Sequence, residues 1–87
     1  SEVIQPKTMA FTPDGQHLLV ASKQLDGKIA VIDPASFTKL QEVPVGIGPE
    51  DMAIAPDKIF VVNVSGNTVS VISFPGYGQL TTIGFTD

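Results

Sequence analysis

The chain has 87 residues and a net charge of −4, nine acids against five lysines, with no arginine and no cysteine. That length allows one small domain, near the size where a single core is only just sufficient. The acidic balance lacks the basic stripe of a duplex nucleic-acid binder, and the absence of cysteine excludes disulfides, thiolate catalysis and cysteine-based metal sites.

Ser1 to Gln5, apolar at Val3 and Ile4, reads as the tail of a strand. Pro6 to Thr12 predicts a short strand with Met9 and Phe11 on one face and Ala10 and Thr12 on the other. Pro13-Asp14-Gly15 is a turn: proline presets φ, aspartate caps, glycine takes the positive φ. A second strand follows at His17 to Ser22. A polar connection from Lys23 ends in Asp26-Gly27, a favoured hairpin pair. Lys28 to Asp33 is the third strand, Pro34-Ala35-Ser36 a turn, and about Thr38 to Val45 the fourth strand.

The order then repeats. Pro49 to Asp57 echoes Pro6 to Asp14, 43 residues earlier. Met52 to Ala55 predicts a strand, Pro56-Asp57-Lys58 a turn, and Ile59 to Asn63 the next strand. Ser65-Gly66-Asn67 turns into Thr68 to Ser73. Pro75 to Gly78 turns again, and Gln79 to Phe85 closes the series. The offset shortens only in turns, as a structural repeat requires.

No window carries a helical apolar stripe. A unit of about forty residues and four strands has the period of a propeller blade. The expected fold is all-β: two four-stranded antiparallel propeller blades, at about 6–48 and 49–87, forming one segment of a larger or oligomeric β-propeller. The third strands support this, since Ile29 and Val31 face one way while Ala30 and Ile32, also apolar, face the other. A sheet with one wet face alternates cleanly, so both faces are expected to be covered. The fourth strands are more polar, which suits an outer rim. The first strands use small residues (Ala10, Thr12, Ala53, Ala55), which suits a crowded axis. Several hundred Å² of open apolar face, at about 25 cal/mol per Å², forfeits on the order of 10 kcal/mol. Other blades are therefore the expected partners, from a longer chain or by self-association, with three copies supplying six blades. No apolar run reaches the roughly 18 to 20 residues that span a bilayer, and no secretory leader is visible at the N-terminus.

Phe60-Val61-Val62-Asn63 resembles the Tyr-Val-Thr-Asn signature of the YVTN-type β-propeller repeat. Val45-Gly46-Ile47-Gly48-Pro49, Pro56-Asp57 and Asn67-Thr68-Val69-Ser70-Val71-Ile72-Ser73 also match that repeat. The first copy matches at Pro13-Asp14-Gly15 and Ala30-Val31-Ile32-Asp33 and departs at the signature, where Leu19-Val20-Ala21-Ser22 stands. The resemblance implies an extracellular, cell-surface or periplasmic setting. It is shared by surface-layer proteins, lactonase-like enzymes and domains of periplasmic oxidoreductases. The repeat motif itself carries no catalytic residues. A non-catalytic scaffold or interaction module is the expected function. The alternatives are a part of a lactonase-like or oxidoreductase propeller with its site at the central channel, and a small oligomeric sugar-binding propeller.

Candidate sites are few, and no catalytic residue, cofactor or metal site is expected. Gly46-Ile47-Gly48 lacks the third glycine and the helix of a dinucleotide fingerprint, so a tight crossover is the better reading. His17, the one histidine, has no ligand partners at metal spacing and reads as an exposed residue at a strand start. Asp14, Asp57 and Asp33 read as turn caps. Asn63-Val64-Ser65 is a glycosylation sequon, but a structural hydrogen bond by Asn63 is the simpler expectation. Tyr77, between two glycines, reads as an exposed loop aromatic. Glu50 and Asp51 are expected on one loop face with Asp26 in the Lys23 to Lys28 connection and Asn67 in the Ser65 to Asn67 turn, a candidate face for a ligand, cation or partner.

Overall fold

The computed structural model describes residues 6–22 and 25–84. Eight strands follow one another: β1 Pro6–Phe11, β2 Leu18–Ser22, β3 Lys28–Asp33, β4 Thr38–Pro44, β5 Pro49–Ile54, β6 Lys58–Asn63, β7 Thr68–Ser73 and β8 Gln79–Gly84. They form two antiparallel meanders of four strands each, β1 to β4 and β5 to β8, each in sequence order. The strand tail expected in residues 1–5, Lys23 and Gln24, and the end of the last strand at Phe85 lie outside the described residues.

Strand composition accounts for the packing. In the first sheet Leu19 pairs with Val31, and Ala21, Ile29 and Val43 form the next row of the same face. In the second sheet Ile54, Ile59 and Ile72 form a row. These two faces meet, and Leu19, Ala21, Ile29, Val31, Val43, Ile59, Val61 and Ile72 make one buried cluster. Burying such aliphatic side chains contributes about 1.5–3 kcal/mol each. The sheets approach most closely along β1 and β5, the strands with the small residues. The polar strands β4 and β8 form the far edges. The result is a slab of 44 × 29 × 16 Å, two sheets thick.

One boundary differs from the sequence expectation in a way that matters. β5 begins at Pro49 rather than Met52, so Glu50 and Asp51 are strand residues and not loop residues. Pro49 pairs with Asn63 and Asp51 with Val62, leaving Glu50 as the extra residue of a bulge. In β1, Pro6 pairs with Ser22 and Thr8 with Ala21, leaving Lys7 in the same role. A bulge re-aims its extra side chain and strengthens the local twist. Here it lets two polar residues interrupt an apolar strand without breaking it.

Candidate functional site

The connection between the sheets, Val45 to Gly48, is held by hydrogen bonds on both sides. Val45 N–H donates to the Gly27 carbonyl at 2.8 Å, and Gly48 N–H to Asp26 Oδ1 at 2.8 Å. Both acceptors belong to the β2–β3 hairpin. From the other side, Gly66 N–H donates to the Ile47 carbonyl at 2.9 Å and Val64 N–H to the Gly48 carbonyl at 2.8 Å. The glycines are required by this closeness. A β-carbon on Gly46 would lie 2.7 Å from Asn63 Nδ2 and from Thr68 Oγ1. Gly48 has φ +76°, and a β-carbon there would lie 2.6 Å from Ser65 Oγ.

Asn63 explains the signature strand. It is fully buried. Its amide donates to Ser70 Oγ at 3.0 Å and Thr68 Oγ1 at 3.2 Å, and Gly46 N–H donates to the same Ser70 hydroxyl at 3.1 Å. The asparagine thus ties its own hairpin to the crossover. Its buried amide nitrogen is no acceptor for a glycan in this fold, and the structural role expected from the sequence is the one observed.

Around this joint lies a cleft of about 310 Å³, lined by Lys7, Ser22, Asp26, Gly48, Pro49, Glu50 and Ser65. Both sheets build it. The two bulges aim Lys7 and Glu50 at each other across the sheet boundary, Nζ to Oε2 at 2.5 Å. Of the four residues expected on this face, Asp26 and Glu50 line the cleft. Asp51 lies outside the lining, accepting from its neighbour Met52 N–H at 2.8 Å and, across the sheet boundary, from the Thr8 hydroxyl at 3.5 Å. Asn67 sits in the β6–β7 turn at φ 55° and is not in the lining. Ser65, expected on this face with the Ser65 to Asn67 turn, also lines the cleft, whereas Lys7 and Ser22 were not anticipated. The available signal was the repeat itself, since Lys7 aligns with Glu50 and Ser22 with Asn63.

At the other end of the sheets the aspartates divide. Asp14 accepts from the Thr12 hydroxyl at 2.6 Å and Gln16 N–H at 3.0 Å, bonds that hold its carboxyl below the usual carboxylate range. Asp33 is held down mainly by Ala35 N–H, at 2.9 Å. Asp57 does not repeat the Asp14 cap. Its turn is two residues shorter, Ala55 stands where Thr12 offered a hydroxyl, and its carboxylate instead lies 3.3 Å from Lys58 Nζ. His17 is half-buried rather than exposed, one residue before β2. Its backbone N–H donates to Thr12 Oγ1 at 3.2 Å and its carbonyl accepts from Thr12 N–H at 2.9 Å.

Tyr77 also departs from expectation. Its positive φ of 58° folds the ring back over Phe74, edge to face with centroids 5.9 Å apart, and both rings pack on the shared core. Burial, and then the Asp14 carboxylate nearby, push its hydroxyl pKa up. Tyr77 therefore closes the inter-sheet seam at that end and is not a displayed aromatic. Among the described residues no group of three or more His, Asp or Glu side chains is placed to hold a metal ion, and no helix is long and apolar enough to cross a membrane.

No family model matches the chain. A putative guanine nucleotide-exchange factor, SED4 of Candida glabrata, is 27% identical over 70 residues, covering 80% of this chain and 7% of that protein. Among solved structures, hydrazine synthase of Kuenenia stuttgartiensis superposes on all of this chain with a TM-score of 0.82 and 22% identity, over 25% of its own chain. U3-55K superposes on 98% of this chain with a TM-score of 0.79 and 18% identity, over 28% of its own. These neighbours are β-propellers, and the two sheets match their blades. The chain spans about a quarter of the solved chains it matches.

Proposed function

We propose that this chain is a two-blade segment of a YVTN-type β-propeller. It serves as a non-catalytic scaffold in an extracellular, cell-surface or periplasmic setting and presents the cleft at its blade junction to a partner. The supporting observation is the construction of that cleft. Its walls come from both blades, its floor is a crossover stitched by hydrogen bonds to both hairpins, and its charged groups are already engaged. Glu50 holds Lys7, and Asp26 holds the Gly48 N–H. Rigid backbone around paired charges suits recognition. Nucleophilic catalysis needs a nucleophile beside a base, and the one histidine lies at the opposite end of β2 from Ser22.

A second reading places these blades in an enzymatic propeller whose site is assembled at the central channel from several blades. It draws on the shared fold of hydrazine synthase. The two are separated by comparing the wild-type chain with D26A/E50A. Labelled chains are used for capture from envelope and secreted fractions of the source, with K28A on β3 as control. A partner retained by the control and lost by the double variant supports the scaffold. The same captured set from all three overturns the cleft as its docking site. Ester or lactone hydrolysis by the wild-type assembly would favour the second reading.

A further inference from the structure

The two outer faces of the slab carry the two halves of its own inner interface. On the first blade, the row Phe11–Leu18–Ile32 faces outward. By repeat alignment it is equivalent to Ile54–Ile59–Ile72, the row that the second blade turns toward the first. On the second blade, the row Val62–Val69–Ile83 faces outward. It is equivalent to Ala21–Ile29–Val43, the row that the first blade turns toward the second. The inner rows are buried or half-buried, whereas Phe11 is 55% exposed, Val62 41% and Ile83 44%. Apolar side chains in matching rows at both ends of one molecule describe a head-to-tail contact, the geometry that closes rings.

Two further features fit the same contact. Phe37 is 86% exposed and held at φ 59°, a left-handed conformation that favours glycine or asparagine. Its equivalent, 40 residues on, is Tyr77, held at φ 58° and packed into the seam between the blades. Phe37 is therefore posed to close a seam against a blade preceding the first. The bulges give the charge complement. Lys7 and Glu50 occupy equivalent positions on β1 and β5 and pair across the inner interface. A following blade with lysine at that position would meet Glu50 on its other side, and a copy of this chain supplies that lysine.

We infer that copies of this chain join head to tail, the second blade of one against the first blade of the next, repeating the inner interface around a closed ring. The inference rests on the propeller-segment reading and is independent of the cleft's partner. With about 4–8 blades to a ring, closure takes roughly two to four copies.

The test is light scattering behind a sizing column on the wild-type chain, V62K, F11K and an equimolar mixture of the two variants. Both substituted side chains lie on outer faces. The wild type is expected as one discrete oligomer and each variant as a monomer with unchanged far-UV circular dichroism. The mixture is expected as a 1:1 dimer and nothing larger, because one unblocked pair of faces remains. A wild type that stays monomeric across concentrations overturns the inference. So does either variant dimerising alone through like faces, or a mixture that remains monomeric. Should a lysine variant fail to fold, F37N relaxes the backbone and is expected to shift assembly about tenfold or more to higher concentration; no shift counts against the seam. A monomeric wild type that still binds a partner through Asp26 and Glu50 would remove the ring and leave the scaffold standing.

Discussion

Gly46 has no room for a β-carbon, and the atoms that restrict it are the buried amide of Asn63 and, equally close, the Thr68 hydroxyl. Neither group can yield, because the amide is fixed by Ser70 and Thr68. G46A is expected to cost about 1–3 kcal/mol through overpacking. N63A is expected to cost about 1–3 kcal/mol, since it strips buried hydroxyls of a partner. The double variant should lose less than the sum, because removing the amide clears much of the space the new methyl needs. Urea unfolding of the four proteins measures the coupling, and strict additivity would show that the contact is not what fixes the glycine. The turn aspartates make a pH prediction. Asp14, Asp33 and Glu42 are all held below their usual values, by Thr12, by Ala35 N–H and by Lys39 respectively. A carboxyl lowered in the folded state binds its proton more readily when unfolded. The stability it contributes is therefore present above the unfolded value and lost as pH falls through the folded one. The thermal midpoint should fall on acidification from about pH 5 to pH 3, and D14N should flatten that fall. An unchanged slope in D14N would mean the Thr12 bond is not kept in solution.

At the scale of the strand, position within the meander decides the cost of a substitution. Ile72 is fully buried in β7, whereas Leu80 in β8 is about half exposed and skipped by the pairing between Val71 and Ile72. I72A is expected to lose about 2–5 kcal/mol and L80A under about 0.5 kcal/mol, read from denaturation midpoints. The Lys7–Glu50 pair is partly exposed, so K7A or E50A should cost only about 0–1 kcal/mol, an effect erased by high salt. Much of this level was legible in the sequence. Turn residues marked six hairpins, and doubly apolar third strands marked sheets with a second apolar face, of which the structure covers one. The start of β5 was not legible, because Glu50-Asp51 has the polarity of a loop and nothing in a linear reading signals a bulge. The burial of Tyr77 was hidden for a similar reason. Flanking glycines suggest display, while a positive φ at the tyrosine itself turns the ring inward. The cleft was half legible. Asp26, Glu50 and Ser65 could be placed by topology, but Lys7 and Ser22 join them only once the two repeats are superposed in space.

For the whole molecule, the governing fact is that one interface is buried and its two complements are open. If the open faces are joined, stability depends on protein concentration by mass action. The thermal midpoint of the wild type should rise over a hundredfold dilution series read from dilute to concentrated. That of V62K should stay flat. Equal flatness in both would mean the two blades hold together on their inner seam alone. The two bulge residues add a rule of arithmetic. They are equivalent in place but opposite in charge, so in a ring built from copies of this chain lysine and glutamate would alternate from blade to blade. An alternating sequence closes on itself only over an even number of steps; an odd ring must set two like charges side by side at one seam. The pair of blades is the smallest unit that repeats without such a fault, so a ring of whole copies meets the parity at every seam, a preference worth little at a partly exposed pair.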